Sequence, residues 1–457
     1  MRARLGRAID PAVLHAPFPV AHLPPVTRRE LVRIAAPAAA SAVLNNAFRV
    51  IDQHAAGAIG TSAQAAIGAC TFVLIAAYAV YSLLAAGAGP LVARATGAGD
   101  HALRRTLFGA SVTAATATGV VIGFVFGFGA DTIAAALGLT GQVAVDAATF
   151  LRALAIGAPA LALAPLLDAC FVAIGRTGAM LALQLGAAVL NAVLNPLFIY
   201  GLDLGVAGTG LATVVSRLVC VVLGLVVLWR EFAPTRAHLR PDATLLRVLR
   251  IGAPVAVNTL LYAGVYFLLL RYTITPLGPV ETAALGIGFS ALEGMTYPMY
   301  MGVSLGVASL VGRHLGAGRP EEAERAARLG FPLATGLGVA SGALFWFGAE
   351  PLCRFFTDDA AVLAAAVVYA RALAWTQVFV AWEALAEGVL GGAGDTRTIF
   401  WLSAPLNALR VPLAYILAFS LGWGALGVWW AINFTSVLKA TGKGVAAARG
   451  AWTRLAV

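Results

Sequence analysis

Leu91–Gly99 reads LVARATGAG, and Leu310–Gly318 reads LVGRHLGAG, 219 residues further on. Other short stretches return in the same order at offsets of 216 to 219. RIAAP (33–37) returns as RIGAP (250–254), LRALA (151–155) as ARALA (370–374), and GRT (175–177) as GDT (394–396). Asn191 and Pro196 return as Asn407 and Pro412. Ordered matches at one nearly constant offset are not a chance pattern, so the chain is read as two copies of one unit.

The composition says where such a unit lives. Of 457 residues, 60% are hydrophobic and 11% charged, against about 25% charged in soluble domains. The spacing predicts twelve apolar runs near the length of a bilayer-crossing helix, about 20 residues. Their cores lie at 33–55, 64–91, 106–129, 147–172, 179–201 and 208–229, then 250–275, 282–310, 327–348, 361–390, 398–420 and 425–446. The fold class is therefore an all-α polytopic membrane protein with twelve transmembrane helices in two six-helix bundles. An even number of helices per copy gives both copies one topology, related by an axis along the membrane normal. The expected organisation is a tail (1–30), a first bundle (31–230), a linker (231–247), a second bundle (248–446) and a C-terminal tail (447–457).

Most of the 31 Lys and Arg residues fall in the tails and in alternate loops, while the remaining loops hold only Arg354. Positive charge accumulates on the cytoplasmic side, so both termini are expected there, in a cell membrane. The net charge of +10 then concerns topology and anionic lipid headgroups, and no nucleic-acid partner is expected. Residues 1–30 lack an unbroken apolar core and a cleavage site, so they read as a cytoplasmic tail. The four cysteines are scattered without a CxxC pair, which indicates neither a metal site nor a disulfide framework. No HExxH, Walker-type loop or nucleophile elbow is present, so no enzymatic chemistry is expected.

Several of these stretches resemble the MATE family, the multidrug and toxic compound extrusion transporters. They are VIDQHAAGAIG (50–60), LVARATGAGD (91–100), LNAVLNP (190–196), GVAGTGLAT (205–213), LVGRHLGAG (310–318), GAGDTRT (392–398) and NALRVP (407–412). The resemblance runs from about residue 27 to 445. It implies a V-shaped pair of bundles that exports amphiphilic, cationic organic compounds in exchange for protons or Na+, by alternating access. Flippases for lipid-linked precursors share the architecture and are the nearest alternative function; a passive channel is a third.

Ionisable residues inside a membrane are expensive and mark functional candidates. Asp52 lies 19 residues beyond Arg33, about 28 Å along a helix, and Asn45, Arg49 and Asp52 share one helical face. The resemblance makes Asp52 a coupling carboxylate, Pro37 a helix-1 bend, and Asn191, Asn195 and Thr213 parts of a cation site. Where the family carries an Asp, this chain has Asn195, which depletes the site for Na+. Arg49 is a departure from the family and would act as a modulator of Asp52. The alternatives are an Arg49–Asp52 ion pair without a transport role, and amides that only bridge helices. His54 lies on another face and reads as an interfacial histidine.

In the second copy, Glu293 falls near the bilayer middle, and Glu383 and Glu387 share a face one turn apart. All three are candidates for ion coupling or substrate contact. Glu383 has no basic neighbour within a turn, while Glu387, which matches Asp168 in the first copy, also reads as an interface carboxylate. Tyr78, Tyr81, Tyr297, Tyr300, Trp375 and Trp382 could stack on a flat cation or simply pack. The expectation is a proton-coupled efflux transporter, with Na+ the weaker counter-ion and no other cofactor. Its partners are a small-molecule substrate and membrane lipids, and it is expected to act as a monomer.

Overall fold

A peptide group left unpaired in hydrocarbon costs several kcal/mol, so a chain crosses the membrane only as helices or closed barrels. The computed structural model describes residues 23–455, with side chains at all of these except 46–51, 53–54, 56–58, 61, 72 and 290–291. The first half is built from α1 (Arg28–Ile59), α2 (Thr61–Gly97), α3 (His101–Ala136), α4 (Gly141–Ile156), α5 (Ala158–Ala173), α6 (Thr177–Pro196) and α7 (Gly205–Phe232). The second half comprises α8 (Ala243–Leu269), α9 (Pro279–Ile287), α10 (Gly294–Gly316), α11 (Pro320–Phe347), α12 (Ala349–Arg354), α13 (Ala360–Ala374), α14 (Gln377–Ala393), α15 (Thr396–Tyr415) and α16 (Gly424–Ala448).

Twelve crossings result, with α4–α5 forming the fourth, α9–α10 the eighth and α13–α14 the tenth. Among the described residues, seven helices are long and apolar enough to cross singly, and two bent pairs raise this to nine. The remaining three crossings carry intramembrane polar groups: Asp52 on α1, Glu293 between α9 and α10, and Lys439 and Lys443 on α16. The connection between the halves is shorter than its sequence suggests. Both flanking helices extend into it, and it is pinned to α3 by the Thr113 hydroxyl, which donates to Leu239 O at 2.8 Å.

The breaks recur in both copies. The fourth and tenth crossings bend by 62° and 57°. Pro159 opens α5 without an amide hydrogen, which frees the chain to turn there. No proline marks the second break. There Asn433 on α16 donates to Ala372 O and accepts from the Thr376 hydroxyl, both at 2.7 Å, so the freed groups are satisfied inside the protein. The fifth and eleventh crossings end in matching π-helical turns, Leu197–Gly201 and Ile416–Ser420. A further π-helical turn, Gly288–Glu293, precedes α10, whereas α2 runs unbroken. α1 likewise continues through Pro37, whose carbonyl accepts from the Ser41 hydroxyl at 2.9 Å.

The halves meet at the end that carries the basic loops. A Cβ on Gly97 would fall 1.8 Å from Arg313 O, and one on Gly316 would fall 2.0 Å from Arg94 O. These residues belong to the two LVxRxxGAG stretches, so the repeated motif packs against its own copy across a pseudo-twofold axis. The α2–α8 contact is equally close, with a Cβ on Gly87 1.9 Å from Val248 O and one on Gly252 1.8 Å from Leu83 O. Gly302 and Gly306 on α10 pack against Ala39 and Ala35 on α1. Ser309 donates to Val172 O at 2.5 Å, and Arg94 donates to Ala393 O and Leu455 O at 2.8 Å each. Toward the other end the core divides. One cluster, around Phe126, Phe150 and Val206, belongs wholly to the first half; another, around Phe345, Tyr369 and Trp429, belongs wholly to the second.

Gly97→Val is expected to separate the halves at the basic end. In a background lacking the four native cysteines, Ser309→Cys, 1% exposed here, should then react faster with a membrane-impermeant thiol reagent. Unchanged labelling in a folded variant would show that this contact does not hold the end shut.

Candidate functional site

α1 brings Asp52 into the first bundle, where it is 8% exposed. α6 supplies Asn191 and Asn195 one turn apart, and α7 supplies Thr213. The Thr213 hydroxyl donates to Asp52 Oδ2 at 2.7 Å, while Asn191 Nδ2 and Asn195 Nδ2 approach Oδ1 at 3.3 and 3.2 Å. Asn191 Nδ2 also reaches Thr213 Oγ1 at 3.2 Å, and Asn195 Nδ2 reaches Asn191 Oδ1 at 3.2 Å. Asn195 Oδ1 is buried without a hydrogen-bond partner. The four residues singled out in this bundle thus form one cage. Among the described residues, no Lys, Arg or His nitrogen lies within ion-pair distance of Asp52. Arg49 and His54 lie outside the described side chains.

One to two helical turns toward the basic end lies a layer that the sequence did not reveal. Arg217, one turn from Thr213 on α7, donates to Gln184 Oε1 at 2.7 Å and to Asn45 Oδ1 at 2.8 Å. Gln184 in turn donates to Asp168 Oδ2 at 2.9 Å. Four elements, α1, α5, α6 and α7, are tied together by this network. The shared face of Asn45 and Asp52 was legible; that Asn45 would meet Arg217 from a helix 172 positions away was not.

The second bundle is organised differently. Glu293 ends the π-helical turn before α10 and accepts a short hydrogen bond from the Tyr369 hydroxyl. Arg410 on α15 donates to Thr435 Oγ1 at 2.9 Å, to Ser436 Oγ at 3.2 Å and to Tyr266 Oη at 3.2 Å. Glu383 and Glu387 share a face of α14 as expected, but they do not stand alone. Lys443 on α16, fully buried, lies 2.7 Å from Glu383 and 2.5 Å from Glu387, and Lys439 lies 3.0 Å from Glu383. No basic residue lies within a turn of Glu383 along α14, as expected; its basic neighbours come from another helix, Lys443 being 60 residues along the chain. The spacing of Lys439 and Lys443, one turn apart inside an apolar run, was the signal that sequence reasoning passed over. A buried ammonium is costly unless a carboxylate faces it.

Comparison with known proteins bears on both bundles. The family model MatE matches residues 37–197 and again 254–416, once in each half. The chain is 29% identical over 432 residues to the probable multidrug resistance protein NorM of Pseudomonas aeruginosa, covering 89% of this chain and 86% of that one. It is 26% identical over 444 residues to the probable multidrug resistance protein NorM of Thermotoga maritima, covering 95% of each. Its structure is similar to that of a MATE protein solved in complex with MaL6, with a TM-score of 0.87 at 21% identity over 92% of this chain and 96% of the other.

Removing Lys443 leaves Glu387 without its cation and Glu383 with Lys439 alone. Lys443→Met is expected to destabilise the protein by about 3–5 kcal/mol, read as a lowered unfolding midpoint in detergent. Adding Glu387→Gln should recover part of that loss. Additive effects of the two substitutions would contradict the bridge.

Proposed function

We propose, from the premise that this chain belongs to the MATE family, that it is a multidrug efflux transporter exporting amphiphilic, cationic organic compounds by antiport with protons. It works by alternating access in the plasma membrane, as a monomer, with the basic-loop end and both termini in the cytoplasm. The relatives named as multidrug resistance proteins support export of drug-like compounds. The asymmetric distribution of Lys and Arg supports the orientation.

Asp52 is the proposed coupling residue, and the composition of its cage carries the reading. Its hydrogen-bond partners are a hydroxyl and two amides, all uncharged. They serve an ionised carboxylate as donors. A protonated Asp52 needs an acceptor instead, and Asn195 Oδ1, in the same cage, is buried without a partner. The same groups suit Na+ less well: two amide nitrogens are turned toward the carboxylate, and Asn195 brings no second negative charge. Glu383 and Glu387 are set aside as coupling residues because Lys439 and Lys443 already bridge them, which leaves Glu293 as the acidic contact for substrate in the second bundle. The bridges also weaken the flippase reading. A phosphate-binding cavity needs cations in excess, whereas each buried lysine here faces a carboxylate.

α1 connects the cage to the closed end. Ala39, packed against Gly302, lies 13 residues from Asp52, about 20 Å along the helix. Titration of Asp52 alters the bonds from α1 to α6 and α7, and the same helix carries one side of the contact between the halves.

The test is efflux of a cationic dye from proteoliposomes under an imposed proton gradient and, separately, a sodium gradient. A proton gradient is expected to drive efflux in the wild type, and Asp52→Asn to abolish driven efflux while dye binding survives. Thr213→Val should slow efflux without abolishing it. Full proton-driven efflux by Asp52→Asn would remove this carboxylate from the coupling role.

A further inference from the structure

GDTRTIFWL (394–402) leads into α15 and TGKGVAAAR (441–449) closes α16, both at the end of the molecule that carries the basic loops. On α15, Arg397, Thr398, Trp401 and Leu402 lie along one face, and on α16 Gly442, Val445, Ala446 and Arg449 do the same. These eight residues line a surface groove of about 440 Å³. A Cβ on Gly442 would lie 3.3 Å from Leu402 Cδ2, so the glycine keeps the floor open. The two arginines stand at the basic end. From Arg449 to Gly442 the groove runs about 10 Å along α16 toward the membrane interior. Trp401, 70% exposed, stands one turn inward from Arg397.

The two ends of the groove differ in chemistry. Both arginines are exposed, and among the described residues no carboxylate lies within ion-pair distance of either. Asp395 is engaged as the cap of α15, accepting from Thr398 N at 3.3 Å, and Glu324, beside Gly450, pairs with Arg328. Neither acid lines the groove, whose remaining walls are Trp401, Leu402, Val445 and Ala446. The shared frame of the two halves does not require this arrangement. At the offset of 219 that matches GRT with GDT, the first half has Gly178, Ala182 and Leu223 where the second has Arg397, Trp401 and Gly442; only Arg230 matches Arg449. A general excess of positive charge accounts for basic residues on this face, but not for a pair of them over an apolar groove in one half alone.

We propose that the α15–α16 groove is a binding site for an anionic phospholipid of the adjoining leaflet, with the phosphate held by Arg397 and Arg449 and an acyl chain laid over Trp401, Leu402 and Gly442. Charge complementarity selects the headgroup. Guanidinium forks match phosphate oxygens, and basic residues at a bilayer surface favour anionic lipid. A zwitterionic lipid carries the same phosphate but brings its own cation, so it gains less from the pair. The apolar floor selects lipid over free phosphate, because only the lipid has a chain to cover it. This site goes beyond the efflux reading and does not depend on it.

The experiment is native mass spectrometry of the purified protein in detergent, titrated with phosphatidylglycerol and, separately, with phosphatidylcholine of the same chains. The wild type is expected to take up its first phosphatidylglycerol at least about fivefold more tightly than phosphatidylcholine. Arg397→Gln and Arg449→Gln should each weaken that first step about fivefold. Gly442→Leu, which fills the floor and keeps both arginines, should weaken it as well. Arg230→Gln makes the same charge change at the same end of the first half and should leave it unchanged. Equal affinity of the wild type for the two lipids would overturn the proposal, as would wild-type affinity in both arginine variants. Wild-type affinity in Gly442→Leu would place the lipid elsewhere, and an equal loss in Arg230→Gln would reduce the effect to net charge. Displacement of the lipid by an equimolar amount of inorganic phosphate would make the groove a simple anion site, and the lipid assignment would fall.

Discussion

The contact of Gly97 with the Arg313 backbone, and its mirror between Gly316 and Arg94, is the constraint on which the rest of the molecule depends. Lipid tails are as apolar as leucine, so helices in a bilayer gain little from hiding apolar side chains against one another. Close backbone approach at small residues does that work instead. Here the small residues come in repeat-related positions, and each side of the contact is made by the copy of the other. Both central helices, α2 and α10, are held together at their basic ends. Val248 and Ile251, from the start of α8, join the core of the first half, and Leu31 and Ile34, from the start of α1, join that of the second. The two halves thus exchange helix ends at the basic side.

Much of this frame was legible in the residues. Offsets between matching stretches fixed two like halves, apolar run lengths located the twelve crossings, and the basic loops marked one face. What a linear reading could not supply was the pairing of faces on different helices. Periodicity puts Glu383 and Glu387 on one side of α14 and Lys439 and Lys443 on one side of α16, but only packing brings those sides together. The Asn45–Arg217–Gln184–Asp168 network escaped for the same reason, since its members come from four helices. The break before Thr376 left no proline in the sequence because Asn433, on another helix, repairs it. The gathering of Asp52 with Asn191, Asn195 and Thr213 was expected from family likeness and not from spacing, and the described side chains stop short of Arg49.

The two bundles share a frame yet treat buried charge in opposite ways. In the second, the counter-charges of Glu383 and Glu387 are ammonium groups tethered to α16, which remain in the site whatever the ionic conditions outside. In the first, the hydrogen-bond donors to Asp52 among the described residues are all neutral, and the Arg217 guanidinium acts on it through space from one turn along α7. A fixed pair stabilises one arrangement of helices; a carboxylate in a neutral cage has two states, with different hydrogen-bonding demands on α6 and α7. The magnitudes are compatible with a switch. Moving a two-state equilibrium from one part in a hundred to ninety-nine takes about 5.5 kcal/mol, and a hydrogen bond to a charged group contributes roughly 1.5–3 kcal/mol. The three bonds received by Asp52 are therefore of the size needed to tip the molecule between states, provided that they differ between the two. The tethered lysines give the second bundle no such reserve. On the proposed reading, one lobe listens to the ion while the other keeps its shape, and their shared hinge is the glycine contact at the closed end.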